Sequence, residues 1–135
     1  MARPMEVLLV EDSLADIRIA QEALQDAGIA ANLHIVMDGE AAVRFLTRKA
    51  PYTAARTPDI VLLDLNIPRM DGHQVLDELR QVRCSQDFPI VLLTASDNVH
   101  DVEEAQKKGM NYYLRKPIEG RTLGALLTVV KDLWH

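Results

Sequence analysis

Hydrophobic residues gather into short unbroken runs separated by stretches in which they recur every three or four positions. Met5 to Val10 is apolar except for Glu6, and Ile60 to Leu63 and Pro89 to Thr94 are nearly as dense. Runs this short and continuous suit strands buried on both faces of a parallel sheet, where no position alternates toward water. Between them, Ile17, Ala20, Leu24 and Ala27 share one helical face, as do Val75, Leu76, Leu79 and Val82. Leu123, Leu126, Leu127, Val130 and Leu133 or Trp134 form a third such stripe, from Gly120 to Trp134. Weaker strand signals fall near Leu33 to Met37 and at Tyr112-Tyr113-Leu114. Weaker helices carry Val43 and Leu46, or run from about Val99 to Lys108 with few apolar residues to pack.

The punctuation agrees with this order. Glu11-Asp12 ends the first strand, Ser13-x-x-Asp16 matches a capping box, and Gly28 closes the first helix. Asp38-Gly39 caps the second helix, after which Ala50-Pro51 and Thr57-Pro58 bracket a loop longer than usual. The third strand stops at Asp64; Pro68, Asp71 and Gly72 make its exit irregular, and the third helix begins near His73. Ser96 or Asp97 caps the fourth helix, which ends at Gly109, and Lys116-Pro117 follows the fifth strand. Strand and helix thus alternate five times. The fold expected is α/β, a doubly wound five-stranded parallel sheet with right-handed crossovers, in one domain over residues 1–135.

Composition narrows the functions. A formal charge of −5 offers no electrostatic hold on nucleic-acid phosphates, so direct DNA or RNA binding is not expected. The apolar runs fall far short of the ~20 residues that span a membrane, and Met1-Ala2-Arg3-Pro4 lacks the apolar core of a signal peptide, which points to the cytoplasm. Cys84 has no disulfide partner and reads as structural. His34, His73, His100 and His135 show no ligand spacing and read as surface residues. Gly28, Gly39, Gly72 and Gly109 stand singly at element boundaries, where turns and helix ends explain them; a phosphate-cradling glycine loop is absent. Asp16, Asp38 and Asp97 stand where helices start, and capping accounts for them without further chemistry.

Three other carboxylates need a different reason. Glu11, Asp12 and Asp64 end strands that are otherwise apolar, where an isolated charge is expensive to desolvate. In a doubly wound sheet, ligands lie beyond the carboxyl ends of the strands, near a switch in strand order. If the first and third strands are neighbours, the three charges crowd together, and a divalent cation with hard oxygen ligands relieves the repulsion. Magnesium suits a small open cluster, because it keeps waters and takes phosphate oxygens. Phosphate chemistry follows: an Asp carboxylate is a competent nucleophile toward phosphorus, with a metal and a lysine offsetting the charge on the transferring oxygens. Thr94 and Lys116, also at strand ends, can supply the remaining contacts.

Four motifs in register then identify a family resemblance: Leu9-Val10-Glu11-Asp12-Ser13, Leu63-Asp64-Leu65-Asn66-Ile67-Pro68-Arg69-Met70-Asp71-Gly72, Leu93-Thr94-Ala95 and Lys116-Pro117. Together they resemble the receiver domain of two-component response regulators, over essentially the whole chain. The resemblance implies a flavodoxin-like (βα)5 fold with strand order 2-1-3-4-5. It implies Asp64 as phosphoacceptor, and Mg2+ held by Asp12 and Asp64 with help from Glu11 and the backbone carbonyl of Asn66. Lys116 would pair with the phosphoryl group, Thr94 would hydrogen-bond it, Tyr113 would change rotamer with Thr94, and Pro117 would follow a cis peptide bond. The donor would be a sensor histidine kinase or a small acyl phosphate, and the output face the fourth helix, fifth strand and fifth helix. Such a domain catalyses only its own phosphotransfer and autodephosphorylation.

Rival readings fit less well. A haloacid-dehalogenase phosphatase also forms an aspartyl phosphate, but Asn66 stands where its second aspartate, the general acid, would be. A flavodoxin would have to bind a phosphate beside Glu11, Asp12 and Asp16, which repel it. A degenerate receiver acting only as a binding module would lack part of the site. More narrowly, Val10-Glu11-Asp12-Ser13-Leu14-Ala15-Asp16, the long loop before the third strand and Leu133-Trp134 resemble single-domain receivers partnered with bacterial phytochromes. That resemblance implies a homodimer through the last helix and strand.

Overall fold

The computed structural model describes residues 3–82, 88–95 and 99–134, with Trp134 described in its backbone only. Expectations for Cys84, for Ser96 or Asp97 as a cap, for the Trp134 side chain and for His135 lie outside the described residues. The strands are β1 (Met5–Val10), β2 (Ala31–Val36), β3 (Ile60–Asp64), β4 (Ile90–Thr94) and β5 (Tyr112–Arg115). The helices are α1 (Leu14–Ala27), α2 (Gly39–Leu46), α3 (Gly72–Val82), α4 (Val99–Lys107) and α5 (Gly120–Trp134).

All pairings are parallel and the sheet order is β2-β1-β3-β4-β5. The continuous apolar runs become β1, β3 and β4, every residue of which is buried. Alternation along them feeds two cores. Leu8, Val10, Val61, Leu63, Ile90 and Leu92 face the side packed by α2, α3 and α4, while Val7, Leu9, Ile60, Leu62, Val91 and Leu93 face α1 and α5. Burying the sheet on both faces fixes its register, because a one-residue slip would exchange the two sets. The chain departs toward β2 from one side of β1 and toward β3 from the other. The crevice beyond the carboxyl ends of β1 and β3 is therefore the switch point.

Caps set the helices on this sheet. Ser13 accepts the Asp16 amide at 3.3 Å, and the Asp38 carboxylate accepts the Ala41 amide at 2.7 Å. Asp71 and Gln74 exchange reciprocal 2.9 Å bonds at the start of α3. α4 has only Ala105 buried and leans on polar links to α3, as Lys108 Nζ lies 3.2 Å from Asp77 and His73 Nε2 lies 3.6 Å from Asp101. His73, expected at the surface, is half-buried there, and its ring nitrogens are shielded from solvent without a hydrogen bond among the described residues. Its place on the α3–α4 seam is the reason.

Glu6, the one polar interruption of β1, is buried and paired. His34 Nε2 stands 3.0 Å from one carboxylate oxygen and Asn32 donates to the other at 3.4 Å. The His34 bond holds the Glu6 carboxyl below its ordinary value. Among the described residues two peptide bonds are cis, Lys116-Pro117 as expected and Ala50-Pro51 in the long loop. None of the helices among the described residues is long and apolar enough to cross a membrane.

Candidate phosphoacceptor and metal site

Four strand ends converge. β1 delivers Glu11 and Asp12, β3 ends on Asp64, β4 ends on Thr94, and the turn after β5 carries Lys116. The Glu11 amide donates to Val36 at 3.0 Å and the Lys116 amide to the Thr94 carbonyl at 2.8 Å, so backbone bonds between neighbouring segments aim both side chains. Carboxylate oxygens of Glu11, Asp12 and Asp64 lie within 4.8 Å of one another. Glu11 is 1% exposed, Asp64 is buried and Asp12 faces solvent, leaving the cluster open on one side.

Lys116 neutralises part of this charge. Its Nζ donates to Glu11 Oε1 at 2.6 Å, Asp64 Oδ2 at 2.8 Å and Asp16 Oδ2 at 2.9 Å. The remaining Asp64 oxygen accepts the Asn66 amide at 3.1 Å. Asp16 was expected only at the start of α1, and the structure corrects that reading: the side chain that follows the cap by one turn also reaches Lys116. This bond draws the Asp16 carboxyl below its ordinary value. The signal was present in the sequence as a fourth acid within one helical turn of Glu11-Asp12, but the capping box was a sufficient explanation by itself.

One lysine cannot satisfy four acids. Among the described residues Glu11 Oε2 is buried without a hydrogen-bond partner, an arrangement that costs free energy unless another positive group is supplied. Burial, followed by the adjacent Asp64 carboxyl, pushes the Glu11 pKa from 4.5 to about 8, against the pull of Lys116. The donors are all hard oxygens in an open arrangement, which fits Mg2+ or Mn2+ and does not fit a metal that prefers sulfur or imidazole.

Thr94 is buried at the end of β4, whereas Tyr113 is 56% exposed on β5 and makes no part of the acidic cluster. Asn66 is exposed, immediately beyond Asp64. Its link to the cluster is the backbone amide bond to Asp64.

The raised Glu11 pKa yields a stability prediction. A group whose folded pKa exceeds its unfolded value favours the fold fully below the unfolded value, and that contribution disappears as pH rises through the folded one. Without metal, urea midpoints should therefore fall between about pH 5 and pH 8. Saturating Mg2+ should flatten this slope, and Glu11→Gln should remove it in chelator. Urea titrations at pH 6 and 9 read both effects; an unchanged slope in Glu11→Gln would assign it to another group.

Residues 7–128 match the family model described as response regulator receiver domain. Response regulator Rcp1 of Synechocystis sp. is 38% identical over 131 residues, spanning 97% of this chain and 89% of that protein. Its Mn2+-bound structure matches with a TM-score of 0.78 at 38% identity, over 97% of this chain and 94% of that one. The phosphorylated cyanobacterial phytochrome response regulator RcpA matches with a TM-score of 0.81 at 32% identity, over 98% and 94%. The receiver domain of sensor histidine kinase PA1611 from Pseudomonas aeruginosa PAO1, with magnesium coordinated in its active site cleft, gives 0.80 at 30% identity over 96% and 99%. Homologous receivers thus hold Mn2+ or Mg2+, and the acidic cluster with its orphaned Glu11 oxygen is consistent with the same ion here. With matching family model, sheet order and convergent strand ends, this chain belongs to the response regulator receiver family, whose members are phosphorylated by histidine kinases.

Proposed function

We propose that this protein is a phosphorylation switch whose acceptor is Asp64. The observation that carries the reading is the open cluster of Glu11, Asp12 and Asp64, in which Lys116 bonds the two buried members and one Glu11 oxygen has no hydrogen-bond partner among the described residues. Glu11, Asp12, Asp64 and the Asn66 backbone carbonyl would hold Mg2+, which when bound offsets negative charge on the phosphoryl oxygens. An Asp64 carboxylate oxygen attacks phosphorus and forms the new P–O bond while the N–P or O–P bond to the donor breaks; its electron pair goes to the departing imidazole, which takes a proton from solvent, or to a carboxylate, which leaves as the anion. Lys116 releases Asp64 and pairs with the phosphoryl group, and the Thr94 hydroxyl donates to another of its oxygens. Water later attacks the acyl phosphate, releasing inorganic phosphate and restoring the Asp64 carboxylate. The chain turns over no external substrate.

Output passes through α4, β5 and α5. Thr94 moves toward the phosphoryl group, Tyr113 leaves its exposed position for the space vacated, and α4, held by a single buried residue and polar links, shifts with it. The donor is a sensor histidine kinase. A bacterial phytochrome is the partner favoured by the likeness to RcpA, described as a phytochrome response regulator. Residues 1–135 act in the cytoplasm as one receiver domain, with no direct nucleic-acid contact. Val129 and Leu133, exposed on α5, support a homodimer through that helix; a sedimentation mass that stays monomeric at rising concentration would refute it.

The test is intact-protein mass after incubation with acetyl phosphate. One phosphoryl adduct is expected with Mg2+ and none with chelator; no adduct from acetyl phosphate or from a histidine kinase would favour a pure binding module.

A further inference from the structure

The segment after Asp64 carries the Asn66 carbonyl, and two glycines outside the acidic cluster govern where that segment lies. A Cβ on Gly39, the first residue of α2, would collide with the Met70 carbonyl oxygen and stand 2.6 Å from Met70 Cβ and 2.7 Å from its carbonyl carbon. The Gly39 amide donates to the Pro68 carbonyl at 3.2 Å. On the other flank, a Cβ on Gly72 would stand 2.8 Å from Leu65 Cα and 3.0 Å from the Asp64 carbonyl oxygen, and the Gly72 amide donates to Leu65 at 2.9 Å. Positive φ is recorded at Gly28 and Gly109 but at neither of these two. Turn geometry, the reason expected from sequence, therefore does not explain them; close backbone approach does.

Between the two contacts the loop is already committed. Leu65 and Ile67 are buried in the core beneath it, and Arg69 sits at φ 67, a left-handed conformation uncommon for a side-chain-bearing residue. The loop thus has little freedom to yield to a displaced α2. Relieving a backbone collision at Gly39 requires movement on the order of 1 Å, a scale at which misplaced catalytic geometry already fails. Mg2+ is intolerant of such a shift, since it demands near-octahedral ligands at about 2.0–2.1 Å.

We infer that Gly39 is a positioning residue for the metal site, because the first turn of α2, seated against Pro68 to Met70, sets where the Asn66 carbonyl lies. This rests on the reading of that carbonyl as a ligand given above. Gly39 touches neither metal nor phosphoryl group; it acts through the loop.

Calorimetric titration with MgCl2 tests it on the full chain. Gly39→Ala should weaken Mg2+ binding by about tenfold or more, as removal of ligand-orienting contacts does elsewhere. Gly124→Ala is the control for mere destabilisation: its Cβ would crowd Ala27 at 3.2 Å on the α1–α5 seam, across the sheet, and its Mg2+ affinity should stay near that of the parent. If Gly39→Ala does not fold, Asp38→Ala and Asp38→Asn replace it. Both remove one charge, but only the first removes the cap on Ala41, so Asp38→Ala should bind Mg2+ more weakly than Asp38→Asn. Parent-like affinity in Gly39→Ala, or equal affinity in the Asp38 pair, would overturn the positioning role while leaving the metal reading intact. A parent protein that binds no Mg2+ would overturn both.

Discussion

Asp64→Asn is expected to abolish the phosphoryl adduct while leaving the protein folded. The amide has the shape of the carboxylate but no anionic oxygen to attack phosphorus, and it removes the charge of one of the three clustered carboxylates proposed to hold the metal. Lys116 loses a 2.8 Å partner but keeps Glu11 at 2.6 Å and Asp16 at 2.9 Å, so no cation is stranded. The substitution also lessens the mutual repulsion of buried acids, and far-ultraviolet circular dichroism should be unchanged. Intact mass after acetyl phosphate and Mg2+ reads the outcome. An adduct that survives Asp64→Asn would move the acceptor to another carboxylate, with solvent-facing Asp12 the first to examine.

The sheet was legible because burial on both faces leaves an unmistakable mark: β1, β3 and β4 are runs without polar alternation. Edge strand β2 was less so, beginning at Ala31 rather than near Leu33, since its alternating exposure resembles a loop next to α1. Glu11, Asp12 and Asp64 could be read as a site because charges ending apolar strands require a reason. Lys116 and Thr94 gained meaning only together with them.

What was hidden is what depends on distance. Asp16 satisfied a local rule, the capping box, and nothing in its spacing disclosed a bond to a lysine one hundred residues away. Glu6 and His34 looked like a blemish and a surface residue until parallel pairing of β1 with β2 brought them to 3.0 Å. Gly39 and Gly72 stood at helix starts, where turn chemistry was explanation enough, yet each is set by a backbone from a different segment. Local patterns identify elements; close approach between elements leaves no periodic trace.

Lys116→Met separates two roles of the lysine, neutralising the carboxylates and meeting the phosphoryl group. In chelator the substitution leaves buried Glu11 and Asp64 without their counter-charge, an interaction whose loss costs about 3–5 kcal/mol in a fully buried pair. Partial exposure of Asp16 and protonation of Glu11 reduce this, so a loss of about 2–3 kcal/mol is expected from urea denaturation. Mg2+ should bind Lys116→Met more tightly than the parent protein, because the lysine cation and the metal compete for the same carboxylates. Adduct formation from acetyl phosphate should nonetheless fall by about 10²–10³, the usual consequence of removing one donor to a developing oxyanion. The three signs together discriminate: a lysine serving only to neutralise the cluster would lower stability and raise Mg2+ affinity without slowing the reaction. One that also meets the phosphoryl group must slow it even where metal binding has improved.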